Sequence, residues 1–251
     1  MELAKEAGSI GMKYFCSDNE VWYKKGNSPV SQADKEIDDF LRCQFREQRP
    51  DYGWLSEETE DNTGRLNRER VAIVDPIDGT RGFINGSKQW CISAAIVENG
   101  RPTEAVLYCP ALDQTFAASN ADGLVLENVE LCTPTSTDTL RVTGSQKLIE
   151  TIRDLDNHPF EPTRFVPSLA YRLAMVAVGQ LDGAFAKPGA SEWDVVAADL
   201  ILQAAGCKLT DGLGHTLTYN KSRVHAPALV AAHTSRHEHI LGLAKSAEIL
   251  H

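Results

Sequence analysis

The stretch Val71-Ala72-Ile73-Val74-Asp75-Pro76-Ile77-Asp78-Gly79-Thr80 decides how this chain folds. Its four consecutive apolar residues, mostly β-branched and stopped by Asp75-Pro76, read as a buried strand that delivers Asp75 to the edge of a sheet. Pro76 stiffens the turn, and Asp78 follows three residues after Asp75. Two carboxylates in one such turn repel each other and resist ionising together unless a cation shares them. Gly79-Thr80 then opens a short helix whose free N–H groups would accept a phosphate. Taken alone, Asp-Pro-x-Asp-Gly also describes an ordinary surface turn, so its surroundings must decide.

Outward from that stretch, two further acids stand at comparable positions. Ser56-Glu57-Glu58 closes a strand expected over 52–55, and Trp193-Asp194 begins an apolar helix expected over 194–205. Each has a plain alternative. Asp194 would be favoured at a helix start by the dipole alone, at roughly 0.3–1 kcal/mol, and Glu57 would serve as a solvated loop acid. Oxygen ligands at strand ends and helix starts are also what a hard cation such as Mg²⁺ requires, and four acids so placed suit a two-metal phosphoryl-transfer site.

The remaining pattern frames these segments. Apolar spacing predicts a helix over 3–14, beginning so close to Met1 that it looks clipped. A turn-rich stretch over 25–29 leads to a helix with Ile37, Phe40, Leu41 and Phe45 on one side, and strands are expected over 91–97, 104–108 and 114–118. A Thr/Ser/Pro stretch over 133–139 marks a boundary between an α+β half, residues 1–139, and an α/β half, residues 140–251. Beyond it strands over 141–143, 164–166, 183–186 and 208–210 alternate with helices from Gln146, over 169–178 and over 194–205, which predicts a mostly parallel sheet.

Composition narrows the function classes. The chain has 251 residues, 42% of them hydrophobic, ample for a buried core and unlike a disordered chain or a disulfide miniprotein. Its 25 Lys+Arg against 35 Asp+Glu leave a net charge of −10, which argues against a nucleic-acid polymer as partner. Six cysteines, at 16, 43, 91, 109, 132 and 207, have no metal-like spacing and read as reduced packing residues. With no basic leader and no apolar run long enough to span a bilayer, a cytoplasmic protein with no membrane partner is expected. His233, His237 and His239 read as a solvated face, and Trp22, Tyr23 and Trp54 as core aromatics in preference to a base-stacking platform. Neither a Walker loop nor GxGxxG occurs.

Asp75-Pro76-Ile77-Asp78-Gly79-Thr80 together with Trp193-Asp194-Val195-Val196-Ala197 resembles the inositol monophosphatase superfamily of Mg²⁺-dependent, typically lithium-sensitive phosphatases. Supporting matches are Pro29-Val30-Ser31-Gln32-Ala33-Asp34, with Ser31 in place of the commoner Thr, Leu55-Ser56-Glu57-Glu58, and Met175 through Gly183. The resemblance spans nearly the whole chain and implies an α/β fold, the layered αβαβα sandwich of sugar phosphatases, with the active site between the halves. It implies two or three Mg²⁺ ions. Glu57, Asp75 and the Ile77 carbonyl would hold the first, and Asp75, Asp78 and Asp194 the second. It further implies attack on phosphorus by a metal-activated water without a phosphoenzyme, oriented by Thr80 paired with Asp34, while Gly79 and Thr80 amides bind phosphate and Glu58 supports the ligands from behind. A homodimer acting on a small phosphorylated metabolite completes the implied picture.

Within the family the substrate is less constrained. Many inositol monophosphatases carry an acid seven residues before the helix aspartate, where this chain has Lys187. The run Phe185 through Asp194 looks more like bacterial 3'(2'),5'-bisphosphate nucleotidases. Lys187 and Arg172 would pair with a second phosphate, so adenosine 3',5'-bisphosphate is the expected substrate, ahead of inositol 1-phosphate and fructose 1,6-bisphosphate. Haloacid-dehalogenase phosphatases use Asp-x-Asp-Gly-Thr with a nucleophilic first Asp, but Pro76 occupies that position here. A non-catalytic, metal-dependent phosphate sensor is the remaining alternative, and no residue in the chain favours it.

Overall fold

The computed structural model describes residues 1–17, 20–23, 29–132, 139–156, 160–163 and 165–246. In chain order the elements are α1 (Glu2–Tyr14), β1 (Val21–Tyr23), β2 (Pro29–Ser31), α2 (Gln32–Gln48), β3 (Gly53–Ser56), β4 (Arg70–Asp78), α3 (Thr80–Ile84), β5 (Cys91–Glu98), β6 (Arg101–Cys109), β7 (Gln114–Ser119) and β8 (Gly123–Glu127). They continue with β9 (Leu140–Thr143), α4 (Gln146–Asp156), β10 (Phe160–Pro162), α5 (Leu169–Ala177), β11 (Gly183–Ala186), α6 (Glu192–Ala204), β12 (Cys207–Asp211), β13 (Leu229–His233) and α7 (His237–Ser246). A 3₁₀ turn, Gly64–Asn67, precedes β4.

A strand that reads apolar at nearly every position has to be covered on both faces, and β4 is. Val71 and Ile73 join the core that α5 and α6 build between two sheets, while Val74 and Ile77 join the outer core under α1 and α2. Each such side chain contributes about 1.5–3 kcal/mol on burial. Gly11 lets α1 approach closely, since a Cβ there would stand 2.7 Å from the Trp90 ring. On the far side, α4 and α7 pack together over the second sheet through Leu148, Ile152, Ile240 and Leu241. The layers are therefore α1/α2, a six-stranded sheet in the order β3-β4-β5-β6-β7-β8, α5/α6, a five-stranded sheet in the order β10-β9-β11-β13-β12, and α4/α7. This is the expected αβαβα sandwich.

Several expectations are corrected. The second sheet is mixed: β9 runs parallel to β10 and β11, but β13 is antiparallel to both β11 and β12. No helix separates β12 from β13, so the chain returns antiparallel. The strand expected over 164–166 lies earlier, at β10, and Arg164 is outside the described residues, as are 25–28 of the turn-rich stretch and 133–138 of the proposed boundary. Trp22 and Tyr23 are exposed, and the Lys35 ammonium sits 4.2 Å from the Trp22 ring centroid. His237 is buried against Thr210, its Nε2 3.0 Å from the hydroxyl, so only His233 and His239 belong to a solvated face. All six cysteines are free, yet Cys16 and Cys43 are exposed and do not pack a core. Among the described residues, no helix is long and apolar enough to cross a membrane.

Candidate metal centre

Strand alternation would put residues three apart on opposite faces of a sheet. Between Asp75 and Asp78 the β4 ladder slips: Asp75 pairs with Ser93 and Asp78 with Cys91, three residues on one strand against two on the other. This bulge re-aims the strand end, and the proline, which has no N–H to offer a ladder, sits inside it. Asp75 and Asp78 consequently both face the α5/α6 layer, while Ile77 turns to the outer core with Val74.

Three carboxylates converge there. Oxygen atoms of Glu57, Asp75 and Asp194 all lie within 4.8 Å of one another. Glu57 follows β3, and its N–H donates to the Val74 carbonyl at 3.3 Å, extending the parallel β3/β4 ladder by one step. Asp194 is the third residue of α6; its Oδ2 accepts from the Ser191 N–H at 2.7 Å in a capping box. Asp75 Oδ1 accepts from the Ile77 N–H at 3.0 Å. Burial, reinforced by Glu57, Asp78, Asp194 and Asp34, pushes Asp75 well above the usual carboxylate range. Asp194 is raised by burial and then by Asp78. Clustered hard oxygens whose charges oppose one another are a donor set that a divalent cation such as Mg²⁺ fits.

Asp78 borders the same cavity but is tied differently. Its Oδ2 accepts from the Ser168 hydroxyl and, at 2.7 Å, from the Ala170 N–H, so it caps the start of α5. Burial raises it to about 6 against those bonds and the nearby Arg172 charge. Ser168, which the sequence reading did not single out, thereby joins the site from 90 residues away. Gly79, in the left-handed region at φ 94°, is closely approached by Ser168, whose Cβ would stand 3.1 Å from a Cβ added there.

Behind the cluster, Ser31 and Asp34 form the capping box of α2, with Ser31 Oγ donating to Asp34 Oδ2 at 2.6 Å. The Thr80 hydroxyl lies 3.1 Å from Asp34 Oδ1 and 2.9 Å from the Ile77 carbonyl oxygen, two acceptors for one proton. Burial lifts Asp34 to about 6, partly offset by its Ser31 bonds. The structure thus brings together Glu57, Asp75, Asp78, Thr80, Gly79 and Asp194 around one cavity of about 450 Å³, whose apolar wall is Pro29, Phe165, Pro167, Leu169 and Trp193. It does not bring in Lys187, which is exposed in the turn before α6, nor Glu58, half-buried after β3. Arg172 lies behind the wall, its guanidinium 5.5 Å from the Phe165 ring centroid and its Nε donating to the Ser168 carbonyl at 3.3 Å. Asp38 was also missed: it accepts from the Ser56 and Thr59 hydroxyls, at 2.5 Å each, on either side of Glu57.

Two β-sheets sandwiched by helices, with acids gathered where a strand end meets a helix start, are the arrangement of the Mg²⁺-dependent phosphatases whose family the chain matches. The chain belongs to the inositol monophosphatase family, whose profile matches residues 1–248. An inositol-1-monophosphatase of Mesorhizobium japonicum is 31% identical over 211 residues, covering 76% of this chain and 75% of that protein. Inositol monophosphatase 1 of Solanum lycopersicum is 28% identical, covering 90% and 88%. Among solved structures, a Thermotoga maritima IMPase superposes with a TM-score of 0.83 at 25% identity, covering 98% of this chain and 95% of that one.

Proposed function

We propose that the chain hydrolyses the phosphate monoester of a small polyhydroxylated alcohol, an inositol monophosphate being the first candidate. One observation carries this reading: the Glu57/Asp75/Asp194 cluster and Thr80, which is backed by Asp34, line the same cavity. Glu57, Asp75 and the Ile77 carbonyl would hold one Mg²⁺ and Asp75, Asp78 and Asp194 another, with a third ion near Glu57 in the full complement. Bound there, Mg²⁺ supplies a Lewis acid for phosphoryl oxygens and lowers the pKa of water. Thr80 Oγ1 orients the attacking water, and Asp34 Oδ1, 3.1 Å behind it, takes up the hydroxyl proton as the water loses its own to Thr80. A carboxylate lifted to about 6 is suited to that exchange near neutral pH. The Gly79 and Thr80 amides would meet the phosphate. A cytoplasmic homodimer is part of the same reading.

The choice of ester rests on two supports. Relatives named as inositol monophosphatases cover most of the chain, whereas the expectation of adenosine 3',5'-bisphosphate rested on the likeness of the run Phe185 through Asp194 to nucleotidases and on Lys187 and Arg172. Among the described residues lining the cavity the one cation is Arg81, so a second phosphate finds little to pair with. The test is kcat/KM for inositol 1-phosphate, adenosine 3',5'-bisphosphate and fructose 1,6-bisphosphate at saturating Mg²⁺. Inositol 1-phosphate should lead, and a bisphosphate that leads by tenfold would reverse the assignment. Asp194→Asn should abolish phosphate release from all three.

A further inference from the structure

Opposite the cavity, the segments that carry Glu57 and Asp194 are joined a second time, through a buried arginine. Arg65 stands in the 3₁₀ turn Gly64–Asn67, and its side chain is fully buried. Its guanidinium grips Asp61, in the loop that begins at Glu57, with two bonds of 3.0 and 2.7 Å. Its other N–H groups reach across the molecule, donating to Asn220 Oδ1 at 2.6 Å and to the Lys221 carbonyl at 2.9 Å. The same two residues are held from the other side by Glu192 in the first turn of α6. Glu192 Oε2 accepts from the Asn220 N–H at 2.7 Å and Oε1 from the Lys221 N–H at 3.0 Å. Two residues further along α6 is Asp194.

The bonds therefore close a ring: Glu57 loop, Asp61, Arg65, residues 220 and 221, Glu192, Asp194, and back across the gap where Glu57 and Asp194 face each other. Like charges at that gap repel, and the half-buried setting, with Asp75 fully buried beside it, reduces their screening by solvent. A rigid planar fork bound to acceptors on both sides opposes that opening more firmly than a flexible ammonium would. We propose that Arg65 is a positioning residue for the metal centre: with Glu192 it fixes the separation of Glu57 and Asp194, and so sets the affinity for the divalent cation they share. The proposal rests on the reading that these two acids hold cations.

The probe is Mn²⁺, titrated by calorimetry and by the loss of its free-ion electron paramagnetic resonance signal. Arg65→Lys keeps the charge but loses the fork, and should weaken Mn²⁺ binding about tenfold, the low end of the loss on removing a direct partner of a metal ligand, since Arg65 acts through Asp61 and residues 220 and 221. Arg141→Lys, at the ion pair of 3.2 Å that Arg141 in β9 makes with Asp182 before β11, is the control for stability loss and should leave Mn²⁺ affinity within about twofold. Equal affinity in Arg65→Lys and the unaltered chain, or an equal loss in both variants, overturns the proposal. Hydrogen exchange on the unaltered chain needs no variant to fold: Mn²⁺ should slow the Asn220 and Lys221 amides together with those of residues 57–63, and their indifference would also overturn it. Asp194→Asn separates the two readings. If Mn²⁺ binding survives that change undiminished, the cation assignment fails.

Discussion

Two groups of buried carboxylates in this chain are built on opposite principles. Asp182, at the start of β11, is met by Arg236 at 2.8 Å and Arg141 at 3.2 Å, and it also accepts from the Arg141 N–H at 2.9 Å. Its charge is balanced from within the fold. Asp75 is as deeply buried and Asp194 half-buried beside it, and neither forms an ion pair among the described residues; their neighbours are other acids. A carboxylate that the fold neutralises itself stabilises structure, whereas a cluster without a counter-charge in the fold takes up protons or a cation from outside.

The comparison breaks most sharply under isosteric substitution. Asp75→Asn should lower kcat/KM by about a hundredfold to a thousandfold, while raising the thermal midpoint of the metal-free protein, because a repulsive buried charge is removed. Phosphate release and melting in chelator are the measurements, and a metal-free midpoint that falls would place Asp75 in the Asp182 category. Asp182→Asn should do the reverse. It removes the carboxylate that both guanidiniums share, costing about 3 kcal/mol in urea unfolding, while activity per folded molecule is unchanged.

A smaller effect distinguishes the clusters by pH. Asp34 and Asp78 move from an ordinary 3.8 to about 6, and Asp75 and Asp194 are raised in the same direction by burial and their acidic neighbours. Raised acids favour the folded state when protonated, so without metal their contribution is full below the unfolded pKa and fades as pH climbs through the folded values. Cations bind the ionised form, so Mg²⁺ at a hundred times its Kd should add about 2.7 kcal/mol at pH 7.5 and much less at pH 5. Melting curves with and without Mg²⁺ at both pH values test this, and a larger gain at pH 5 would invert the assigned linkage. Least affected should be Lys187→Glu: an exposed turn residue outside the cavity wall should leave kcat/KM for inositol 1-phosphate within about twofold. A tenfold change would return Lys187 to the substrate site.

Local pattern carried much of this. The run 71–74 is legible because a strand covered on both faces must be apolar throughout, and Asp75-Pro76 stops it for reasons internal to the backbone. Ser31 and Asp34 are legible because a capping box spans one helical turn. The direction of β13 and the burial of His237 against Thr210 were not, since both depend on segments that meet only after folding. Arg65 and Ser168 share that reason: each has a local bond, but the partners that tie them to the site, Asn220 and Asp78, lie 155 and 90 residues away.

By itself the sequence determined the strand that ends in two aspartates, the helices that start on capped acids, and the family of phosphatases to which the chain belongs. These follow from periodicity, capping and motif chemistry, which act over a few residues. Tertiary structure alone decided that a one-residue bulge turns Asp75 and Asp78 to the same face, that Asp194 meets Glu57, and that Lys187 stands apart from the cavity. Whether charges repel, pair or await a cation is a matter of distance through a dry interior, and only the folded chain sets that distance.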